Sequence, residues 1–95
     1  DLDVTTITND NNIGCTVSST INDLVLYIFR MSSADASWTG GVTSNVLGGA
    51  SWGYEAGASP TQSGGLTKGS GDWSGGCGAA VSIKNLAPLG VRVIF

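Results

Sequence analysis

The chain contains no histidine, and charged residues make up only 12% of it, about half the usual share. The first absence removes Ser-His-Asp and Cys-His machinery. The second removes any basic stripe: Arg30, Lys68, Lys84 and Arg92 are scattered, and the formal charge is −3. Phosphate neutralisation needs clustered cations, so nucleic acid is excluded as a partner. An acidic chain also gains nothing electrostatically at an anionic membrane. The longest apolar run, "LVLYIF" at 24–29, is far too short to span a bilayer. Walker and Rossmann spacings are missing, and so is an N-x-Ser/Thr sequon. Initiator methionine, basic n-region and hydrophobic leader are missing too, which reads as a mature secreted chain after leader removal.

What is present fits one domain over 1–95 with a modest core, since apolar residues are 41% of the chain. Two cysteines, Cys15 and Cys77, are too few for a zinc site without histidine and too far apart for a C-x-x-C redox pair. A structural disulfide is the expectation, in keeping with an extracellular setting. On the chain-entropy model it would contribute about 4 kcal/mol.

Strand signals dominate. "LDVTTIT" at 2–8 is rich in β-branched residues, and "NDNN" at 9–12 reads as a turn. In "IGCTVSSTI" at 13–21 the odd positions Ile13, Cys15, Val17, Ser19 and Ile21 form the more apolar face, against Gly14, Thr16, Ser18 and Thr20 on the other. "LVLYIFRM" at 24–31 is apolar on both faces, which predicts a central strand. A helix over 20–31 competes through the capping spacing of Thr20 and Asp23, but the run is short and rich in β-branched and aromatic residues. "VTSNVL" at 42–47 and "ASWGYE" at 50–55 are weaker strands, while 56–76 reads as a long Gly/Ser-rich loop. Cys77, Ala79, Val81 and Ile83 share a face that is expected to point inward, and after a turn at Pro88 and Gly90 "VRVIF" at 91–95 is a last strand. The expected fold is all-β: an antiparallel sandwich or small barrel with one inter-sheet disulfide.

"CTVSS" at 15–19, with Tyr27 on the next strand, resembles immunoglobulin domains. That resemblance implies an inter-sheet bridge and nothing more: "WSGGC" lacks the tyrosine two places before the cysteine, and Tyr27 stands where that family has tryptophan.

Three tryptophans, Trp38, Trp52 and Trp73, lie among Gly, Ser and Ala. One reading packs them as satellite core, each N–H finding a carbonyl. The other makes them, with Tyr54, a binding platform, oriented by hydrogen bonds from Glu55 and Asp72 and from Asn45, Ser51 and Gln62. A carboxylate pair drawn from Asp35, Glu55 and Asp72 is the remaining catalytic option, and acids on loops are ordinarily just solvated. The oxygen-rich cluster Asp1, Asp3, Asn9, Asp10, Asn11 and Asn12 lacks EF-hand spacing and reads as a turn. The expectation is therefore a secreted, non-catalytic binding protein without metal or cofactor. It would be lectin-like or a defence, virulence or effector protein, and composition suggests a fungal or other microbial source. Its partner would be a cell-surface glycan, lipid or receptor protein. The alternatives are a self-associating structural or coat protein, hence a homo-oligomer, and a small membrane-active toxin.

Overall fold

Strands bury alternate side chains, and this chain has enough alternating segments for two packed layers. The computed structural model describes residues 1–33, 35–47 and 50–84. Among them are eight strands: β1 (Leu2–Asp10), β2 (Asn12–Ser18), β3 (Leu24–Met31), β4 (Ser37–Thr39), β5 (Thr43–Leu47), β6 (Ala50–Ala56), β7 (Thr61–Thr67) and β8 (Trp73–Ile83). Every pairing is antiparallel. Five strands form one sheet in the order β1-β8-β3-β6-β5, and three form a second in the order β2-β7-β4. The result is a two-sheet sandwich. The segment at 24–31 is a central strand, as its composition predicts, and not a helix. The strand expected at 91–95 and the turn at Pro88 and Gly90 lie outside the described residues.

The core sits between the sheets. Ile13, Cys15 and Val17 of β2 face Val25, Tyr27, Phe29 and Met31 of β3, with Leu66, Trp73 and Ala80 completing the cluster. Trp38 of β4 lies edge-on to Phe29, with ring centroids 5.7 Å apart, and 6.1 Å from Tyr27. These are favourable aromatic separations. Large residues on β3 demand small neighbours. A Cβ placed on Gly78 of β8 would collide with the Phe29 ring, and one on Gly64 of β7 would lie 2.5 Å from Tyr27 Cζ.

Two expectations fail for this reason. The first is the disulfide. Cys15 is buried on the inner face of β2, whereas Cys77 is exposed on β8, and both are free thiols. Alternation correctly groups Cys77, Ala79, Val81 and Ile83 on one face, but that face points outward. The inner positions of β8 are Gly76, Gly78, Ala80 and Ser82, the small set over which Met31, Phe29 and Tyr27 of β3 spread. The five-stranded sheet therefore lies between the two sulfurs. The second is the loop at 56–76. Residues Thr61–Thr67 form β7, the middle strand of the smaller sheet, and β8 already begins at Trp73. The glycines that suggest a loop provide the space occupied by the Tyr27 ring.

The acidic amino-terminal segment has a structural use. As an edge strand, β2 presents unpaired N–H groups along its outer side. Thr16 N–H donates to Asp3 Oδ2 at 2.9 Å, Ser18 N–H to Asp1 Oδ2 at 2.8 Å, and Asn12 N–H to Asp10 Oδ1 at 3.2 Å. The carboxylates tie the two sheets together and close that edge to further pairing. Asp3→Ala is expected to cost about 1 kcal/mol, the value of one exposed hydrogen bond. Amide exchange at Thr16 should accelerate while the β3 amides keep their protection, and an unchanged Thr16 rate would refute the tie. Before β3, Asp23 is buried and accepts from Thr20 N–H at 2.9 Å and from Lys84 Nζ at 3.1 Å, fixing the turn that starts the central strand.

Candidate functional site

Strand β3 is apolar on both faces, but the three-stranded sheet covers only one of them. Its other face, with the matching residues of its neighbours, meets solvent. The registers align these residues in rows across the sheet. One row runs Leu2, Val81, Leu26, Tyr54; the next runs Val4, Ala79, Ile28, Trp52. Leu24 and Ile83 extend the field at one end. Exposure is substantial: Leu2 64%, Val4 66%, Ile28 60% and Trp52 43%. A shallow apolar depression of about 310 Å³ lies within the field, bordered by Leu2, Leu26, Ile28, Trp52, Ala79 and Val81. Scattered exposed apolar residues are ordinary, whereas these form one contiguous field.

The electrostatics of the field are simple. Charge is missing from both central rows. Arg30 stands one row beyond, between Cys77 and Ala50. The described carboxylates nearest in sequence point elsewhere: Asp1 and Asp3 hold β2, and Glu55 lies on the inner face of β6.

The proposed tryptophan platform is thereby divided. Trp52 and Tyr54 are exposed together on the outer face. Trp38 is half-buried among the inner aromatics, and Trp73 is fully buried in the core. The indole Nε1 atoms of Trp38 and Trp73 are buried without a hydrogen-bond partner, against the expectation that each finds a carbonyl. Strict alternation from Ala80 would turn Trp73 outward. The break lies where Asn9, with φ of 52°, stands opposite the start of β8.

The predicted polar partners are dispersed as well. Glu55 Oε1 accepts from the Tyr27 hydroxyl at 2.6 Å. Burial first, then this hydrogen bond and the Glu55 charge, push the Tyr27 phenol far above its ordinary range. Asp72 is exposed just before β8, seven residues from Ala79 and so roughly 23 Å along the strand. Ser51 is buried, and Gln62 donates to the Ala56 carbonyl at 2.8 Å. Asn45 pairs with Trp52 in the register of β5 and β6. Asp35 pairs with Lys68 at 3.5 Å, so the three acids considered for catalysis are separately engaged or solvated. Cys15 is held as a thiol: burial, then the Asp3 carboxylate, raise it to about 11.

Sequence reasoning placed Trp52 and Tyr54 but missed Leu2, Val4, Leu26, Ile28, Ala79, Val81 and Ile83. The available signal was the double-faced apolarity of 24–31. A strand apolar on both sides needs two covering layers, and the described residues supply one. No family model, curated protein or solved structure matches the chain.

Proposed function

We propose that this domain is a non-catalytic binding module whose working surface is the outer face of the five-stranded sheet. One observation carries the reading: two rows of apolar side chains, exposed except for the half-buried Leu26 and Ala79 and uninterrupted by charge, across four adjacent strands. Such a surface suits an apolar face of another protein. A glycan is the weaker fit, because sugar recognition needs several polar groups beside the stacking ring: Glu55 and Asp72 do not border Trp52, which leaves Asn45 and Thr43, the β5 register partners of Trp52 and Tyr54. The lack of histidine supports the non-catalytic part. An extracellular setting belongs to the proposal on composition alone, since free thiols no longer argue for an oxidising compartment.

The probe dye 8-anilinonaphthalene-1-sulfonate tests the surface directly. Native protein is expected to enhance its fluorescence, and Ile28→Lys, with unchanged circular dichroism, should abolish most of that gain. No enhancement, or one indifferent to Ile28→Lys, would sink the reading. A glycan-array signal that survives Ile28→Lys would move the function to another surface.

A further inference from the structure

We infer that the partner for the outer face is a second copy of this chain, stacked sheet on sheet about a two-fold axis. The inference rests on the binding-surface reading above and names its occupant.

Three observations converge on it. The first is size. Five strands spaced about 4.8 Å apart, with outward residues spread over about 24 Å of β3, give a planar face of roughly 550 Å², in which the apolar rows form the centre and Arg30, Thr43 and Asn45 part of a polar rim. Two copies meeting there remove roughly 1,100 Å² or more, which clears the threshold of about 1,000 Å² for a specific interface. The smaller sheet has three strands and is already committed to the inner face. A second five-stranded sheet matches the uncovered one strand for strand.

The second is charge. The chain carries a formal charge of −3, and two copies repel unless their acids are kept apart. Among the described residues, Asp1, Asp3 and Glu55 point away from the outer face, so two acidic molecules can meet there without opposing carboxylates. The third is self-complementarity. A two-fold contact sets one patch against itself. An apolar field meets this condition without any charge pattern, and aligned packing of twisted sheets at about −30° supplies the geometry. Assembly by strand addition at β2 is disfavoured, because Asp1, Asp3 and Asp10 occupy its outer N–H groups.

Sedimentation velocity between about 1 and 200 μM tests the inference on wild type, Ile28→Lys and Thr61→Lys. Thr61 is exposed on the other sheet and serves as the control. The expected result is a reversible dimer that Ile28→Lys weakens at least about 100-fold and Thr61→Lys leaves intact; this factor is the usual penalty, about 3 kcal/mol, for truncating or charging a central interface position. Acrylamide quenching of Trp52, the exposed indole, should fall as wild-type protein is concentrated, an assay that needs no variant. A wild type that stays monomeric throughout, or a dimer indifferent to Ile28→Lys, overturns the inference. Monomeric protein that still binds the dye through Ile28 would leave the binding surface standing with a different occupant. Co-sedimentation with phosphatidylcholine vesicles, lost in Ile28→Lys, would assign that occupant to lipid and likewise overturn the second copy.

Discussion

Gly64→Ala is expected to lower the melting temperature by roughly 10–20 °C, corresponding to about 3 kcal/mol in a domain of this size. Gly75→Ala should change it by no more than about 3 °C, because the only effect is the few tenths of a kcal/mol from a stiffer unfolded chain. The two glycines differ in what lies above them. A methyl on Gly64 would sit 2.5 Å from Tyr27 Cζ and 2.9 Å from both Cε atoms, inside the ring face. Tyr27 cannot move aside. Its hydroxyl is bound to Glu55 at 2.6 Å, and Phe29 and Trp38 flank its ring. A methyl on Gly75 meets only the Ile7 carbonyl oxygen at 3.8 Å, an ordinary contact. Thermal melts of the two variants beside wild type decide the matter. Equal melting temperatures would mean that β7 is not seated against Tyr27.

Stability is expected to fall steeply as pH rises above about 9, and two groups set the direction. Cys15 has an ordinary value of 9.0 and is raised to about 11 in the fold, first by burial and then by Asp3. Tyr27 is raised from 10.0, first by burial and then by Glu55. Both are acids that the fold keeps protonated, while the unfolded chain ionises at the ordinary values. Their contribution is therefore complete below about pH 9 and declines as pH climbs, through about 11 for Cys15 and further for Tyr27. The Cys15 shift alone corresponds to about 3 kcal/mol at the high end, a large share of a small domain's margin. Urea midpoints should stay nearly level between about pH 7 and 9 and drop clearly at about pH 10.5. Tyr27→Phe should start about 1 kcal/mol lower at pH 7, having lost the Glu55 bond, and then decline less steeply. A wild-type midpoint that holds level to pH 11 would contradict the burial of both groups.

These two residues also show where the sequence is legible. The period-two pattern around Cys15 identifies β2 and its inner face, and β-branched and aromatic content identifies β3 around Tyr27. Pattern alone says which residues share a face, and it leaves open which face is covered. On β8 the more apolar set, Cys77 to Ile83, is the outer one, because bulk on β3 requires the smallest residues beside it. Glycine hides the same information in "TQSGGLT". A glycine beneath an aromatic ring and a glycine in a loop are the same letter, and only the position of Tyr27 distinguishes them. The candidate surface was half visible for a related reason. Trp52 and Tyr54 stand out by type, whereas Leu2, Val4 and Val81 join them only through pairings between opposite ends of the chain.

Those pairings also set the order of events at synthesis. The five-stranded sheet places β8 between β1 and β3, so strands made early must wait for one made late. Until residues 73–83 have emerged from the ribosome, β1 has no partner in its sheet and β3 is paired on one side only. Assembly of this sheet therefore waits for β8 and is dominated by distant contacts, which makes it slow for its size. During that interval β3, apolar on both faces, is the segment that a chaperone would have to shield.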